Sequence, residues 1–190
     1  MEWYEQINAE VPLTQGDIIF DCPLIGWQAE IDFKEEEYKK LLRASTQAIS
    51  ADVVVLSQSC DLEHNKIANV ILCSHNSMTE YRSAWDSAMK NKGQTITPKA
   101  WKSHCDDICD GFIWNLTMLN SFEFEAQRID VRIVDFHEIF TVPRLFLESL
   151  LKQRKKPRIR LLPPYREHLS QAFARFFMRV GLPIPINPVW

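Results

Sequence analysis

The chain has 190 residues, of which 46% are hydrophobic and 25% charged, and these proportions are typical of a folded globular protein rather than a disordered one. The length predicts one domain, residues 1–190. Acidic residues at the N-terminus and the lack of an apolar run near the roughly 20 residues of a membrane span argue against export and against a membrane segment. Five cysteines without regular spacing predict a cytoplasmic protein with reduced thiols.

The net charge of −3 conceals an uneven distribution of charge along the chain. Residues 144–190 include ten Lys or Arg and two acids, whereas residues 1–143 include 12 Lys or Arg and 23 acids. We therefore expect an acidic, sheet-containing core at 1–143 and a basic helical segment at 144–190, which ends in an extended proline-rich tail from Leu182 to Trp190. This division favours either an anionic partner or docking of the basic segment on the acidic core.

The first predicted strand is Gly16–Phe20, which we expect to end at Cys22-Pro23 because proline cannot donate to a continuing ladder. Apolar residues at helical spacing predict a helix from Phe33 to about Ala48. The continuous β-branched run Val53–Leu56 predicts a strand that is buried on both faces at the centre of the sheet. Ile67–Cys73 predicts a second strand that pairs with it as a hairpin.

Capping patterns mark two further helices. Ser77 and Glu80 match a capping box, and Thr97-Pro98 predicts a helix that ends before Gly111. The remaining predicted elements are strands at Phe112–Leu119 and Ile129–Val134, a helix that starts at Pro143, a basic loop at Lys152–Arg158, and a last helix from Pro163-Pro164 to Gly181. Together these elements predict an α+β fold with a long C-terminal helix.

The polar turn after the predicted central strand is one candidate for catalysis. Cys60 could act as a nucleophile with His64 or His75 as its base, and Asp61 lies beside it. The alternative is structural, since a small Cys at a strand end is commonly buried and inert, and an Asp there commonly binds turn amides.

Metal binding and a carboxylate pair are weaker hypotheses. The possible zinc ligands are Cys60, His64, Cys73, His75, His104, Cys105 and Cys109. Their spacings do not match those of structural zinc sites, so we predict no metal and no other cofactor. Asp135 and Glu138 flank His137 at a predicted strand end, where catalytic groups are often found, but capping or turn formation explains the same residues.

The basic segment is the third candidate site. Its cations are Arg154, Lys155, Lys156, Arg158, Arg160, Arg166, Arg175 and Arg179. Arg175 and Arg179 are four residues apart on one helix face, and with the loop they could bind a phosphate backbone. The alternative is a solvated face whose charges pair with the acidic core.

A short resemblance covers residues 12–75. Gly16-Asp17-Ile18-Ile19, Val53-Val54-Val55-Leu56-Ser57 and Val70-Ile71-Leu72 resemble the strand order of the PemK/MazF-like toxins. The resemblance implies a twisted, partly closed SH3-like sheet and a metal-independent endoribonuclease, with an arginine before the second strand and a hydroxyl after the third. Here Ser50-Ala51-Asp52 precede that strand, so the arginine has no counterpart, and Ser74 stands where the hydroxyl belongs.

Three functional hypotheses follow. The leading one is a small prokaryotic-type accessory subunit that associates with nucleic acid or a protein partner, by analogy in a toxin or anti-phage defence module. The second is an enzyme, either a divergent PemK/MazF-like endoribonuclease or a hydrolase that uses Cys60. The third is an assembly subunit, in a homo-oligomer or with another protein, whose proline-rich tail is the anchor.

Overall fold

The computed structural model describes residues 2–28, 38–125 and 127–178. The strands are β1 (Tyr4–Ile7), β2 (Asp17–Trp27), β3 (Thr46–Val55), β4 (Asn69–Ser77), β5 (Leu116–Leu119), β6 (Phe122–Phe124), β7 (Gln127–Ile129), β8 (Arg132–Pro143) and β9 (Arg158–Leu161). The helices are α1 (Tyr38–Ser45), α2 (Ser59–Glu63), α3 (Met78–Asn91), α4 (Pro98–Cys109), α5 (Arg144–Arg154) and α6 (Tyr165–Phe177). The predicted α+β class is confirmed.

Seven strands form one antiparallel sheet in the order β1-β9-β2-β3-β4-β8-β5. The central position belongs to β3, and Val53, Val54 and Val55 have no exposed surface, as the apolar run predicted. β3 and β4 pair as the expected antiparallel hairpin. No ladder closes the sheet into a barrel within the described residues, although the Tyr4 hydroxyl of β1 donates to the Asn120 carbonyl just beyond β5, at 2.8 Å.

Each face of the sheet is covered by a helix, because successive strand residues point to opposite faces. Val53 and Val55 pack in a core with Leu147 and Leu151 of α5. Val54 faces the other way and packs in a core with Leu169 of α6. The β6-β7 hairpin lies over this second face, where Phe122 is buried.

The capping predictions for α3 and α4 are confirmed. The Ser77 hydroxyl accepts from the Glu80 amide, and the Glu80 carboxylate accepts from the Ser77 amide at 2.8 Å. Thr97 caps α4 through the Ala100 amide, with Pro98 in the first turn. Among the described residues, no helix is both long and apolar enough to cross a membrane.

Two predicted boundaries in the N-terminal half are wrong. β2 continues through Pro23 to Trp27, because beyond Ile18 it pairs only with β3 and its other edge needs no donor from proline. The first helix ends at Ser45 rather than Ala48, since Thr46 already belongs to β3. The predicted start of that helix lies outside the described residues.

Several predicted loops and strands also differ. The turn after β3 contains the short helix α2, and only Leu116–Leu119 of the predicted strand Phe112–Leu119 is extended. Ile129 ends β7 and β8 begins at Arg132, so the run Ile129–Val134 belongs to two strands. The basic stretch is a loop only between α5 and β9, because Arg158 already pairs with β1. The predicted end of the last helix at Gly181 and the tail Leu182–Trp190 lie outside the described residues.

Candidate nucleic-acid interface

Beyond Ile18, one edge of β2 has no partner strand among the described residues. Of the residues of β2, Asp17 and Ile18 pair with β9, so the next carbonyls on that edge require other partners. Arg154, at the C-terminus of α5, donates from Nη1 to the Phe20 carbonyl at 2.7 Å and from Nη2 to the Asp21 carbonyl. This arginine is therefore fixed on the open edge, and within the described residues no carboxylate forms an ion pair with it.

A cleft of about 300 Å³ lies along this open edge. Phe20 and Phe124 form one wall, with their ring centroids 6.4 Å apart and their planes within 26°. Arg154 and Lys156 line the cleft as well. Aromatic rings next to cations are the combination on which unpaired bases stack while the backbone phosphates are neutralised.

Two exposed lysines follow Arg154 directly. Lys155 has a left-handed backbone (φ 52°) and ends α5, and both Lys155 and Lys156 are exposed. Two carboxylates, Asp21 and Glu125, also line the cleft. Arg158 lines the cleft too, but Asp17 compensates its charge. Arg154, Lys156 and the neighbouring Lys155 therefore exceed the two acids by a single charge, so the cleft is only mildly basic.

Two of the predicted nucleic-acid-binding cations are held inside the protein instead. Asp17 is fully buried and accepts from Arg158 Nε at 2.8 Å and from Arg160 Nε at 2.5 Å. Arg158 also donates to the Val11 and Pro12 carbonyls. These guanidinium groups hold the loop before β2 against β9, and they do not form an unbroken basic strip with Lys155 and Lys156.

The helical cations are also separated from the cleft. Arg166 pairs with Glu167 at 2.8 Å. Arg175 lies over the Trp114 ring, 5.4 Å from its centroid, and donates to the Gly111 carbonyl at 3.3 Å. Arg179 lies outside the described residues. The predicted set therefore divides. Arg154 and Lys156 line the aromatic cleft with Lys155 exposed between them in the chain, whereas Arg158, which also lines the cleft, is held by Asp17.

The residues of the predicted catalytic turn are not assembled into one site. Cys60 is exposed on α2, where its Sγ lies 3.7 Å from both Gln58 Oε1 and Asp61 Oδ1. His64 is exposed at the end of α2 and makes no side-chain hydrogen bond with Cys60. His75 lies three residues past Leu72, the partner of Val55, and so roughly 10 Å further from the α2 end of the β3-β4 hairpin.

His75 belongs to a different cluster, at the other end of the β3-β4 ladder. Arg132 of β8 donates from Nε to His75 Nδ1 at 2.9 Å and from Nη2 to Asp52 Oδ2 at 2.5 Å. The His75 ring therefore carries its proton on Nε2. Burial, and then the Arg132 charge, lower the pKa of His75 to about 3, and the Val53 backbone partly opposes this shift. Nε2 is buried and has no hydrogen-bond partner among the described residues.

A polar cavity of about 290 Å³ opens beside this cluster. Its charged lining consists of Arg132 and three carboxylates, and the uncharged polar lining includes Ser74 and Asn76; the carboxylates are those of Asp21, Asp52 and Glu80. Asp21 lines both this cavity and the aromatic cleft, so the two are adjacent.

The other predicted sites have structural partners. Asp135, which lies inside β8 rather than at a strand end, accepts from Asn115 Nδ2 and from the His137 amide, both at 3.0 Å. His104 Nε2 lies 2.8 Å from the Tyr81 hydroxyl. In the part of the chain that the structure describes, no three His, Cys, Asp or Glu side chains are grouped as metal ligands would be.

Sequence reasoning named Arg154 and Lys156 of the cleft and His75 of the polar cavity, but it missed the aromatic wall and Arg132. Phe20 and Phe124 are ordinary strand aromatics in the sequence, and their pairing depends on the β6-β7 hairpin crossing the sheet. Arg132 carried a usable signal, because it is a charged residue that alternates with apolar ones in a predicted strand. Comparison with protein-family models gives no match for this chain, and comparison with curated proteins gives none either.

Proposed function

We propose that this protein binds single-stranded nucleic acid in the cleft along the open edge of β2. The observation that carries the proposal is the grouping of Phe20 and Phe124 with Arg154 and Lys156 in one cleft, beside the exposed Lys155. Unpaired bases have faces that stack on aromatic rings, and the exposed lysines would neutralise the phosphates that follow them. A duplex would offer no such faces to the aromatic wall, so we favour a single strand.

The small excess of positive charge sets the expected strength of binding. Each contact between a cation and a phosphate contributes to the binding free energy, and this contribution decreases as the salt concentration rises. In this cleft about three cations are placed to contact phosphates. Binding by this chain alone should therefore be modest and sensitive to salt. An accessory subunit that holds a strand for a partner, as in a toxin or defence module, would need no more than this.

The consecutive antiparallel pairing of β2, β3 and β4 supports the proposed likeness to the SH3-like sheet of PemK/MazF-like toxins. Arg132 of β8 pairs with Asp52, one of the three residues that stand where the resemblance implies an arginine, although all three lie inside β3. We therefore include an RNA cleavage assay in the test below.

The test is fluorescence anisotropy with a labelled unstructured RNA and the corresponding DNA. Changing Lys155 and Lys156 to glutamine together should weaken binding about tenfold at low salt, because two phosphate contacts are lost. Changing Lys90 and Lys92 to glutamine is the matched control, since those two lysines are exposed on α3 and its cap and alter the net charge equally.

Equal losses in the two double variants would refute the proposed cleft, because the effect would then follow from net charge alone. Electrophoresis of the RNA after each titration separates binding from cleavage. RNA that is shortened by the wild-type chain, and left intact by an Arg132→Lys variant that still folds, would favour the endoribonuclease over the binding subunit.

A further inference from the structure

Several polar atoms that line the cavity beside Arg132 have no hydrogen-bond partner among the described residues. Arg132 uses Nε and Nη2, while Nη1 has no partner among the described residues. Glu80 uses Oε2 in the capping box, and its Oε1 has no partner in the described ranges. The Ser74 hydroxyl and the Asn76 amide also make no hydrogen bond within that part of the chain. Convergent, unsatisfied polar groups in a concave site are typical of ligand recognition.

The charge of the cavity selects the class of ligand. Three carboxylates and one guanidinium leave two negative charges in excess, so a phosphate group would be repelled. The carboxylates are not grouped as the ligands of a metal ion would be, within the described residues. A neutral ligand with several N–H donors on one edge, and an acceptor for Arg132, matches this lining best.

We infer that the cavity binds a guanine base. Guanine carries N1–H and N2–H donors on its Watson–Crick edge, which carboxylates such as Asp21 and Glu80 can accept. Its O6 and N7 are acceptors for an arginine, here through the unused Nη1 of Arg132. Adenine, cytosine and uracil have fewer donors on that edge and would form fewer hydrogen bonds with Asp21 and Glu80, which are both exposed.

The position of the cavity connects this inference with the strand-binding cleft, and in that form it rests on the proposed function. Asp21 lines both spaces, and Phe20 of the cleft wall meets the His75 ring edge-on at 5.9 Å. The Arg132 guanidinium carbon lies 5.7 Å from the Phe20 centroid. A strand whose phosphates contact Lys155 and Lys156 could thus place one base beyond Phe20 in the polar cavity, and the cavity would select guanine at that position.

The experiment uses the full chain and three labelled heptanucleotides, in which a central guanosine, inosine or adenosine lies among uridines. We expect the guanosine strand to bind about tenfold more tightly than the adenosine strand, with inosine between them because it lacks the N2 amine. A Glu80→Gln variant should bring the three affinities together. Gln also completes a capping box, so α3 is retained. Glu63→Gln, an exposed acid on α2, is the matched control.

Free guanosine provides the second arm of the test. Saturable binding of guanosine that Glu80→Gln abolishes would support the base site even if no oligonucleotide binds, in which case only the strand-binding function fails. Equal affinities for all three strands in the wild-type chain, together with no guanosine binding, would overturn the base site. The strand-binding cleft would survive that result if the Lys155 and Lys156 substitutions still weakened binding.

Discussion

Asp17 is the residue whose substitution should most clearly reveal how the basic segment is held. Its carboxylate has no exposed surface and pairs with the side chains of Arg158 and Arg160, which are 4% and 14% exposed. It also accepts from the Thr14 amide at 3.2 Å. Asp17→Asn keeps the shape of the side chain but removes the charge, so two guanidinium groups would be left without a counter-ion in the interior.

Removing one partner of a buried ion pair costs about 3 to 5 kcal/mol, because the remaining charge stays desolvated. The Arg158 contacts with backbone carbonyls persist and hold the loss near that range rather than above it. For a chain of this length, the melting temperature should fall by about 2 to 4 °C for each kcal/mol. The expected change is therefore a decrease of roughly 6 to 20 °C.

Urea denaturation followed by circular dichroism measures this loss directly, provided the slope of the transition is unchanged. Asp110→Asn, at an exposed acid after α4, is the matched control and should change stability by less than about 0.5 kcal/mol. A loss below about 1 kcal/mol for Asp17→Asn would refute the reasoning, since it would mean that both guanidinium groups are solvated and available to a partner.

Three further predictions concern the buried histidine His75, the N-terminal cap of α3 and the reactivity of two cysteine thiols. The free energy of unfolding should fall as the pH is lowered from about 6.5 towards 3, because His75 takes up a proton in the unfolded chain but not in the folded one, where its pKa is lowered. His75→Asn should flatten this pH dependence, as measured by urea titrations at a series of pH values. Ser77→Ala should cost about 1 kcal/mol by removing the cap that Glu80 shares, measured by thermal melting against Ser87→Ala. A thiol reagent should label exposed Cys60 in the native protein before buried Cys73, whose pKa burial raises, and peptide mass spectrometry showing the reverse order would contradict this.

The sequence predicted the elements that depend on local pattern. Val53–Val55 is a continuous β-branched run, and such runs occur where both faces of a strand are covered. Ser77 and Thr97 satisfy helix amides within three residues, so their roles can be read without knowing the fold. These features need only neighbours in sequence.

The missed features depend on contacts between distant segments. Pro23 was expected to end a strand, but whether proline is tolerated depends on which edge of β2 lacks a partner. Cys60 and His75 lie at opposite ends of the β3-β4 hairpin, and the register that separates them is set by the pairing of Val55 with Leu72. Arg132 meets Asp52 across 80 residues. None of these relationships leaves a local signal.

The charge count of the basic segment makes the last prediction quantitative. If all five cations from Arg154 to Arg160 contacted phosphates, the logarithm of the binding constant for a single strand would fall with the logarithm of salt with a slope of about −3.5. Because Asp17 neutralises one charge of the Arg158 and Arg160 pair and both are turned inward, about three contacts remain, and the expected slope is about −2. Anisotropy titrations between 50 and 200 mM salt distinguish the two slopes, because the binding constant changes strongly over this range. A measured slope near −3.5 would require Arg158 and Arg160 to leave Asp17 when the strand binds, and both arginines of β9 would then contact phosphates.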